Sequence, residues 1–249
     1  MRSMVFALAC AAGIASPVFG QALMFNNAGA FHNFVLQQGK LLKGTETFEE
    51  SNIPQGGKQI LPGPFQPGVP NTFQGIGFPQ GLSEPNIRIQ DNVAPGPNAP
   101  VVAPSGDPNS LYVIGQNFIG SNSKKVGEDM FLQNINVSID LLFQPSTHTA
   151  VGFNLSRFQG FGNAGWTVSV WGVGNLLMGS FNLPAPALPE PSKDFYGFWA
   201  PIPIERINIW DPIIAPEAID NVEMWHVPAP GTLALLGLAP LVAGRRRRS

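Results

Sequence analysis

The sequence predicts an all-β domain arranged as a β-sandwich or jelly roll. Only 12% of its 249 residues are charged, about half of the roughly 25% that is usual for soluble domains. It contains 28 glycines and 25 prolines, which excludes long helical bundles and coiled coils because these need charged, glycine-poor sequence. The second half of the chain alternates apolar and polar residues with a period of two, as strands with one buried face do.

The predicted strands of this second half follow one another at short intervals. They are residues 135–141, 151–155, 166–170, 176–183, 195–199, 202–210 and 218–226. Turn signals rich in glycine, proline and asparagine separate them, for example at residues 144–146 and 172–175. Several short strands at this spacing are typical of sandwiches and jelly rolls. No segment of the body, residues 23–226, is predicted to be helical.

Residues 53–108 have a different composition, with 12 prolines and 9 glycines. This is above the level at which a segment is expected to be disordered. The same stretch carries eight apolar residues that can anchor it to a core: Ile60, Leu61, Phe65, Phe73, Ile76, Phe78, Ile87 and Ile89. We therefore expect long loops pinned by these side chains, with one or two short strands, one of them at residues 86–91.

The N-terminal residues 1–22 have the three parts of a secretory signal peptide. Arg2 precedes an apolar run from Met4 to Ile14, and small residues follow up to Ala22. Cleavage is expected after Gly20 or Ala22, and we favour Ala22. Removal of this segment also removes Cys10, the only cysteine, so the mature fold is stabilised by burial without disulfides.

Residues 227–249 predict a signal that is processed at the membrane. Val227-Pro228-Ala229-Pro230 precedes a short apolar stretch, and Arg245–Arg248 follow it. The 14 residues from Gly231 to Gly244 would span about 21 Å as a helix, against a hydrocarbon core of roughly 30 Å. Arg245, Arg246, Arg247 and Arg248 are the kind of cluster that keeps a segment's end in the cytoplasm. A permanent tail anchor is the alternative interpretation.

This tail resembles the PEP-CTERM sorting signal of Gram-negative bacteria. The resemblance rests on the Pro-x-Pro motif, the Leu-, Ala- and Gly-rich helix and the arginine cluster, with Ala229 standing where the family has glutamate. It implies recognition by an exosortase, a membrane protease-transferase that cuts near the motif. It also implies transient anchoring in the inner membrane, followed by display at the cell surface or in the extracellular matrix.

The body also resembles the exported, lectin-like jelly-roll domains that precede such tails. The shared features are a Thr-Phe-Glu strand at residues 47–49, a Val-Gly-Phe strand at 151–153, and Ile-Asp-Asn-Val at 219–222. These are packing positions, so the resemblance implies a fold and no activity. Association with extracellular polysaccharide is expected from the resemblance alone.

The charge distribution and the missing motifs argue against several function classes. Five of the 14 basic residues lie in the terminal segments, which leaves nine against 16 acidic residues in the body. Such a body is a poor match for nucleic acid. Glu217, Asp220 and Glu223 are three residues apart, so neighbours lie on opposite faces of a strand and make a poor acid pair for glycoside hydrolysis. We therefore predict a protein that is not an enzyme.

Two hypotheses concern binding. Trp171, Trp210 and Trp225 fall on the polar phase of their strands and could form a platform that stacks on sugar rings. The alternative is that the long loops cover these rings, because exposed apolar patches are rare without a function.

The second hypothesis is a structural calcium ion at Glu49 and Asp220. Calcium takes several oxygen ligands, and sandwiches place the first and last strands side by side, so that Glu46, Glu49 or Glu50 could meet Asp220 and Asn221. Ordinary edge-strand charges are the alternative. The leading prediction is thus a sorted, non-enzymatic surface protein, and the alternative is a carbohydrate-binding module with a calcium ion.

Overall fold

The computed structural model describes residues 20–54, 58–61, 63–93, 102, 111–115, 128–132, 138–144, 147–157, 166–183, 193–210 and 217–227. These residues form one helix, α1 (Ala28–Gln37), and fifteen strands. The strands are β1 (Leu23–Phe25), β2 (Leu41–Glu46), β3 (Lys58–Leu61), β4 (Asn71–Phe73), β5 (Ile76–Phe78), β6 (Ile87–Asn92), β7 (Leu111–Gly115), β8 (Glu128–Leu132), β9 (Ser138–Phe143), β10 (His148–Arg157), β11 (Trp166–Gly172), β12 (Leu176–Leu183), β13 (Lys193–Trp199), β14 (Ile204–Trp210) and β15 (Glu217–His226).

The strands form two large antiparallel sheets and one small hairpin. The eight-stranded sheet has the order β1-β13-β10-β15-β8-β7-β3, with β2 also paired to β15. The five-stranded sheet has the order β12-β11-β14-β9-β6. Strands β4 and β5 pair with each other in a two-stranded sheet. The chain crosses repeatedly between the large sheets, because β9, β11 and β14 belong to the smaller one and β10, β13 and β15 to the larger.

The two large sheets share one hydrophobic core. Alternate residues of β10, such as Val151 and Phe153, enter the same buried cluster as Val168 and Val170 of β11. Phe181 of the smaller sheet contacts Phe198 of the larger sheet, with 5.5 Å between ring centroids. Burial of such side chains contributes about 1.5–3 kcal/mol each, so this shared layer is the main source of stability.

The predicted all-β class is confirmed, and the predicted strands of the second half lie close to β9–β15. The region 53–108 is more ordered than expected, since four strands (β3–β6) lie within its described part. Leu61, Phe65 and Phe78 are buried anchors as predicted, whereas Phe73 is 56% exposed. The proline and glycine content predicts too little regular structure here, because buried apolar side chains such as Leu61, Phe65 and Phe78 fix the backbone.

Helix α1 contradicts the prediction of a body without helices. Asn27 caps its start, since the Asn27 side-chain oxygen accepts the N–H of Ala30 at 2.9 Å. Phe31 and Val35, one turn apart, are fully buried on its inner face. The helix has no acidic residue in its first turn and no basic residue in its last, so tertiary packing rather than local charge stabilises it.

Helix α1 covers the outer face of the eight-stranded sheet. The Phe31 ring lies directly against Gly197, where an added methyl group would overlap it. At Gly152 an added methyl group would overlap the Phe195 ring and crowd Phe31. Phe31 also contacts Trp225 edge to face, at 6.2 Å between centroids. Gly197 is therefore required by the close approach of the helix to the sheet, and Gly152 by the Phe195 ring of the neighbouring strand.

The strand predicted at residues 47–49 is wrong, because β2 ends at Glu46 and the chain turns there. Phe48 adopts a left-handed backbone conformation, with φ of 57°, and its side chain is fully buried. The Glu46 carboxylate accepts the Phe48 N–H at 2.9 Å. This short-range hydrogen bond holds the turn and ends the strand.

The terminal predictions lie almost entirely outside the described residues, namely residues 1–19 of the signal peptide and residues 228–249 of the tail. Ala22 is described and belongs to the core, and its N–H donates to the Met178 carbonyl at 3.0 Å. Within the described ranges, no helix has both the length and the apolar composition needed to cross a membrane.

Candidate functional site

The outer face of the five-stranded sheet carries polar residues that are shielded from solvent. The strand register places Gln90, Asp140, Asn208 and Ser169 next to one another in a row across four strands. All four have at most 1% exposure. Buried polar groups are costly unless they are hydrogen-bonded, so the partners of each one matter.

Asp140 is the centre of a buried hydrogen-bond network on this face. Its carboxylate accepts from the Asn208 side-chain amide at 2.7 Å and from the Asn92 amide at 2.8 Å. Arg206 lies 3.5 Å away, between Nη1 and Oδ1. Asn208 also donates to the Ser138 hydroxyl at 2.7 Å. The network links three strands, β6, β9 and β14.

Burial shifts the pKa values of Asp140 and Arg206 in the directions that favour their uncharged forms. It raises the pKa of Asp140, although the amides and Arg206 oppose the shift by favouring the carboxylate. It lowers the pKa of Arg206, while the nearby Asp140 opposes that shift too. Asn208, Arg206 and Asn92 thus favour the charged form of Asp140, and Asp140 favours the charged form of Arg206.

A cavity of about 480 Å³ opens beside this network, within the roughly 300–1,000 Å³ typical of small-molecule sites. A second cross-strand row forms part of its lining: Arg88, Leu142, Arg206 and Trp171. Gln90 and Glu205 also line it. The cavity therefore combines an apolar residue and an aromatic ring with charged and amide groups, as ligand sites commonly do.

Several polar atoms at this cavity lack hydrogen-bond partners among the described residues. They include both the oxygen and the nitrogen of the Gln90 amide, the indole Nε1 of Trp171 and the Nε of Arg88. Gln90 is only 1% exposed. A buried donor or acceptor without a partner costs about 1–3 kcal/mol. Such groups are expected where a polar ligand completes their hydrogen bonds.

The side of the cavity formed by β11 and β14 is held rigidly. The Arg206 guanidinium lies 4.5 Å from the centre of the Trp171 ring and donates to the Asn175 side-chain oxygen at 3.2 Å. Glu205 accepts the Gly174 N–H at 3.1 Å. Asn175 and Gly174 have φ of 61° and 73°, so Arg206 and Glu205 fix a left-handed turn at the cavity wall.

The structure separates the three tryptophans proposed as a sugar platform. Trp171 lines the cavity but is only 5% exposed. Trp210 is half-buried and pairs with Thr167 farther along the same sheet. Trp225 lies on the other sheet, beneath α1, where its indole N–H donates to Glu223 at 3.2 Å. The three rings do not form a common surface, and Trp171 alone belongs to the cavity.

The residues named for calcium are not joined into a metal site in the described part of the chain. The expected neighbours do meet as strands, since Glu46 of β2 is in register with Val222 of β15. Both Asp220 oxygens, however, accept hydrogen bonds from Asn221, and Glu49 is exposed. Among the described residues no group of three metal-binding side chains is found. Calcium binding stays a prediction.

Glu46 instead stabilises a turn through its buried carboxylate, and the pKa of this carboxylate is shifted. Its carboxylate accepts the N–H groups of Phe48 and Glu84, at 2.9 and 3.0 Å. Burial, with a smaller contribution from the nearby Glu50, raises the pKa of Glu46 to about 7 against the opposing effect of these backbone hydrogen bonds. His148 behaves in the opposite way, because burial lowers its pKa to about 4.

The sequence interpretation missed most residues of the cavity. Arg88 and Gln90 of the lining, and Asp140 and Asn208 of the adjoining network, all lie on the polar phase of predicted strands. The polar phase of these strands is the sequence signal that points to them. Among the sorting-motif residues, Val227 is described and 53% exposed. The rest of that motif and the arginine cluster lie outside the described ranges.

Comparison with known proteins gives little guidance on function. No family model and no curated protein matches the chain. Among solved structures, the crystal structure of the enzymatically active domain of bacteriophage CBA120 tailspike protein 4 matches with 13% identity and a TM-score of 0.31. That match covers 57% of this chain and only 19% of the tailspike chain.

Proposed function

We propose that this chain is a non-enzymatic, exported surface or matrix protein that binds extracellular polysaccharide in the cavity of the five-stranded sheet. The observation that supports this proposal is the Gln90 amide, which lines the cavity, is almost fully buried and has no partner for either polar atom among the described residues. Sugar hydroxyls both donate and accept hydrogen bonds, so one saccharide unit can satisfy both ends of that amide.

The absence of catalysis is part of the proposal. Glu205 is the one carboxylate among the described residues that line the cavity. Glycoside hydrolysis needs two carboxyl groups that flank the bond. Asp140 lies behind the lining residues, where amides and Arg206 occupy its oxygens. A binding role therefore fits this arrangement better than hydrolysis.

The proposal keeps the jelly-roll interpretation and the sorting route. Two antiparallel sheets with a common core and repeated crossings are compatible with a jelly roll. Export rests on the signal-peptide pattern of residues 1–22, and recognition of residues 227–249 by an exosortase rests on the resemblance of the tail. The inner membrane would then hold the tail only until cleavage.

Replacing Gln90 with methionine tests the binding site. Gln90→Met keeps the length of the side chain and removes both unpartnered polar atoms, so we expect unchanged or slightly higher stability. Binding of the full-length chain to its best ligand on a polysaccharide array should weaken at least tenfold. Gln37→Met, an exposed change on α1, is the matched control and should leave binding unchanged.

Two results would contradict this proposal. Wild-type affinity in Gln90→Met would exclude the cavity as the site, and failure of the wild-type chain to bind any polysaccharide on the array would exclude the function. Release of soluble fragments from a bound polysaccharide would instead show an enzyme.

The sorting step is tested separately on protein recovered from the cell surface. We expect mass spectrometry to find C-terminal peptides that end near Pro228–Pro230. Peptides that continue intact into Arg245–Arg248 on externally displayed protein would identify a permanent anchor instead.

A further inference from the structure

We infer that the cavity selects an acidic saccharide unit, and that Arg88 binds its negatively charged oxygen group. This inference rests on the proposed function, since it names the class of sugar that the same cavity accepts. It is carried by the charges that line the cavity, by their positions in the strand register and by the partners that each one has.

The charged side chains that line the cavity differ in how far partners within the protein match their charges. Arg206 is paired with the fully buried Asp140 at 3.5 Å, so its positive charge is largely offset inside the protein. Glu205 accepts the Gly174 N–H at the rim turn. Arg88 forms neither an ion pair nor a hydrogen bond among the described residues, and its Nε is buried. Arg88 is therefore the cation that is left for a ligand.

Arg88, Gln90 and Arg206 lie close to one another on the outer face of the five-stranded sheet. Arg88 and Arg206 are both cross-strand neighbours of Leu142, so two strand spacings, roughly 10 Å, separate their backbones. Gln90 follows Arg88 by two residues on the same face of β6, roughly 7 Å along the strand. A guanidinium, an amide and the partly buried Leu142 are thus grouped within the dimensions of a sugar ring.

The side chains of Arg88, Gln90 and Leu142 are chemically complementary to an acidic sugar. A guanidinium presents a planar fork of donors that matches a carboxylate or a sulfate in a bidentate manner. The Gln90 amide can bind adjacent ring hydroxyls, and Leu142 offers an apolar surface to the C–H groups of the ring. A neutral sugar would leave the Arg88 charge without a partner in a partly desolvated site, which is unfavourable.

The experiment uses oligouronates and their methyl esters, which differ only in charge. Titration calorimetry of the full-length chain should show at least tenfold tighter binding of an acidic trisaccharide than of its ester. Oligomers of galacturonate, glucuronate and mannuronate cover the common ring geometries, and a sulfated galactose oligomer distinguishes sulfate from carboxylate. A preference for either charged form over its neutral counterpart supports the inference.

Three variants identify the residue responsible. Arg88→Gln should remove the preference for charge, with the acidic ligand bound roughly ten- to a hundredfold more weakly, as for loss of a hydrogen bond to a charged group. Arg88→Lys should keep part of the preference, because it retains the charge without the fork. Lys43→Gln, which removes a cation from β2 of the other sheet, should change nothing.

The outcomes separate this inference from the proposed function. Equal binding of acid and ester, or an intact preference in Arg88→Gln, would overturn the acidic selectivity while leaving polysaccharide binding in place. Binding of none of these compounds or of any neutral polysaccharide would overturn both.

Discussion

Replacing Asp140 with alanine is expected to destabilise the fold by about 3–5 kcal/mol, the cost of leaving one partner of a buried ion pair alone. Arg206 would remain 3% exposed without its acidic partner. The amides of Asn92 and Asn208, which donate to Asp140 at 2.8 and 2.7 Å, would lose their acceptor. Urea denaturation at neutral pH measures the loss.

A double variant separates the effect of an unpaired buried charge from the effect of lost side-chain volume. Asp140→Leu combined with Arg206→Met removes both charges and keeps most of the volume, which is often nearly neutral for buried pairs. We therefore expect the double variant to be more stable than Asp140→Ala. It should bind saccharide poorly all the same, since Arg206 would no longer hold Asn175 and Trp171. A loss below about 1 kcal/mol in Asp140→Ala would show that the pair is not a structural unit.

The buried carboxylate of Glu46 is expected to make stability depend on pH in an unusual direction. Its pKa is about 7 in the folded protein, above the ordinary value of 4.5, so the folded state binds more protons than the unfolded state between these values. Stability from this group is therefore present at pH 4.5 and is lost as pH rises to 7, by about 3 kcal/mol.

His148 opposes this trend over most of the same range. Its pKa is lowered from 6.5 to about 4, so the unfolded state takes up the proton first and stability is lost as pH falls from 6.5 to 4, also by about 3 kcal/mol. Between pH 4.5 and 6.5 the two contributions nearly cancel. The net effect should be a plateau followed by a decline toward pH 7.

Glu46→Gln isolates the carboxylate. Urea denaturation between pH 4.5 and 7.5 should show that the variant gains on the wild-type protein by about 3 kcal/mol as pH rises. Without Glu46, the acid sensitivity caused by His148 should become visible below pH 6.5. Glu49→Gln, at an exposed carboxylate nearby, should follow the wild-type curve. Parallel curves for Glu46→Gln and the wild type would contradict the raised pKa.

The sequence predicted the strands well because their alternation is a local property. Period-two patterning assigned Ile139 and Leu141 to the core and Asp140 to the opposite face, as the structure shows. Helix α1 was missed because its ten residues are uncharged and include a glycine. Its signals in the sequence are the Asn27 cap and the spacing of Phe31 and Val35.

The cavity could not be predicted in the same way because it depends on which strands are neighbours. Arg88 and Trp171 are 83 positions apart in the sequence and meet only through the order β6-β9-β14-β11. The stacking of Arg206 on Trp171 likewise follows from their register. Local periodicity determines the face of the sheet on which a side chain lies, whereas long-range strand pairing determines which residues are its neighbours.

The packing of Ala22 bears on the proposed removal of the signal peptide. A chain that starts at Gln21 keeps the Ala22 methyl group in the core and its hydrogen bond to Met178, whereas a chain that starts at Leu23 has neither. The hydrogen bond alone is worth about 0.5–1.5 kcal/mol. Between the two expected cleavage positions, release after Gly20 therefore yields the more stable product. Under the proposed export, either cut would precede docking of this segment, because a peptidase needs an extended and accessible substrate.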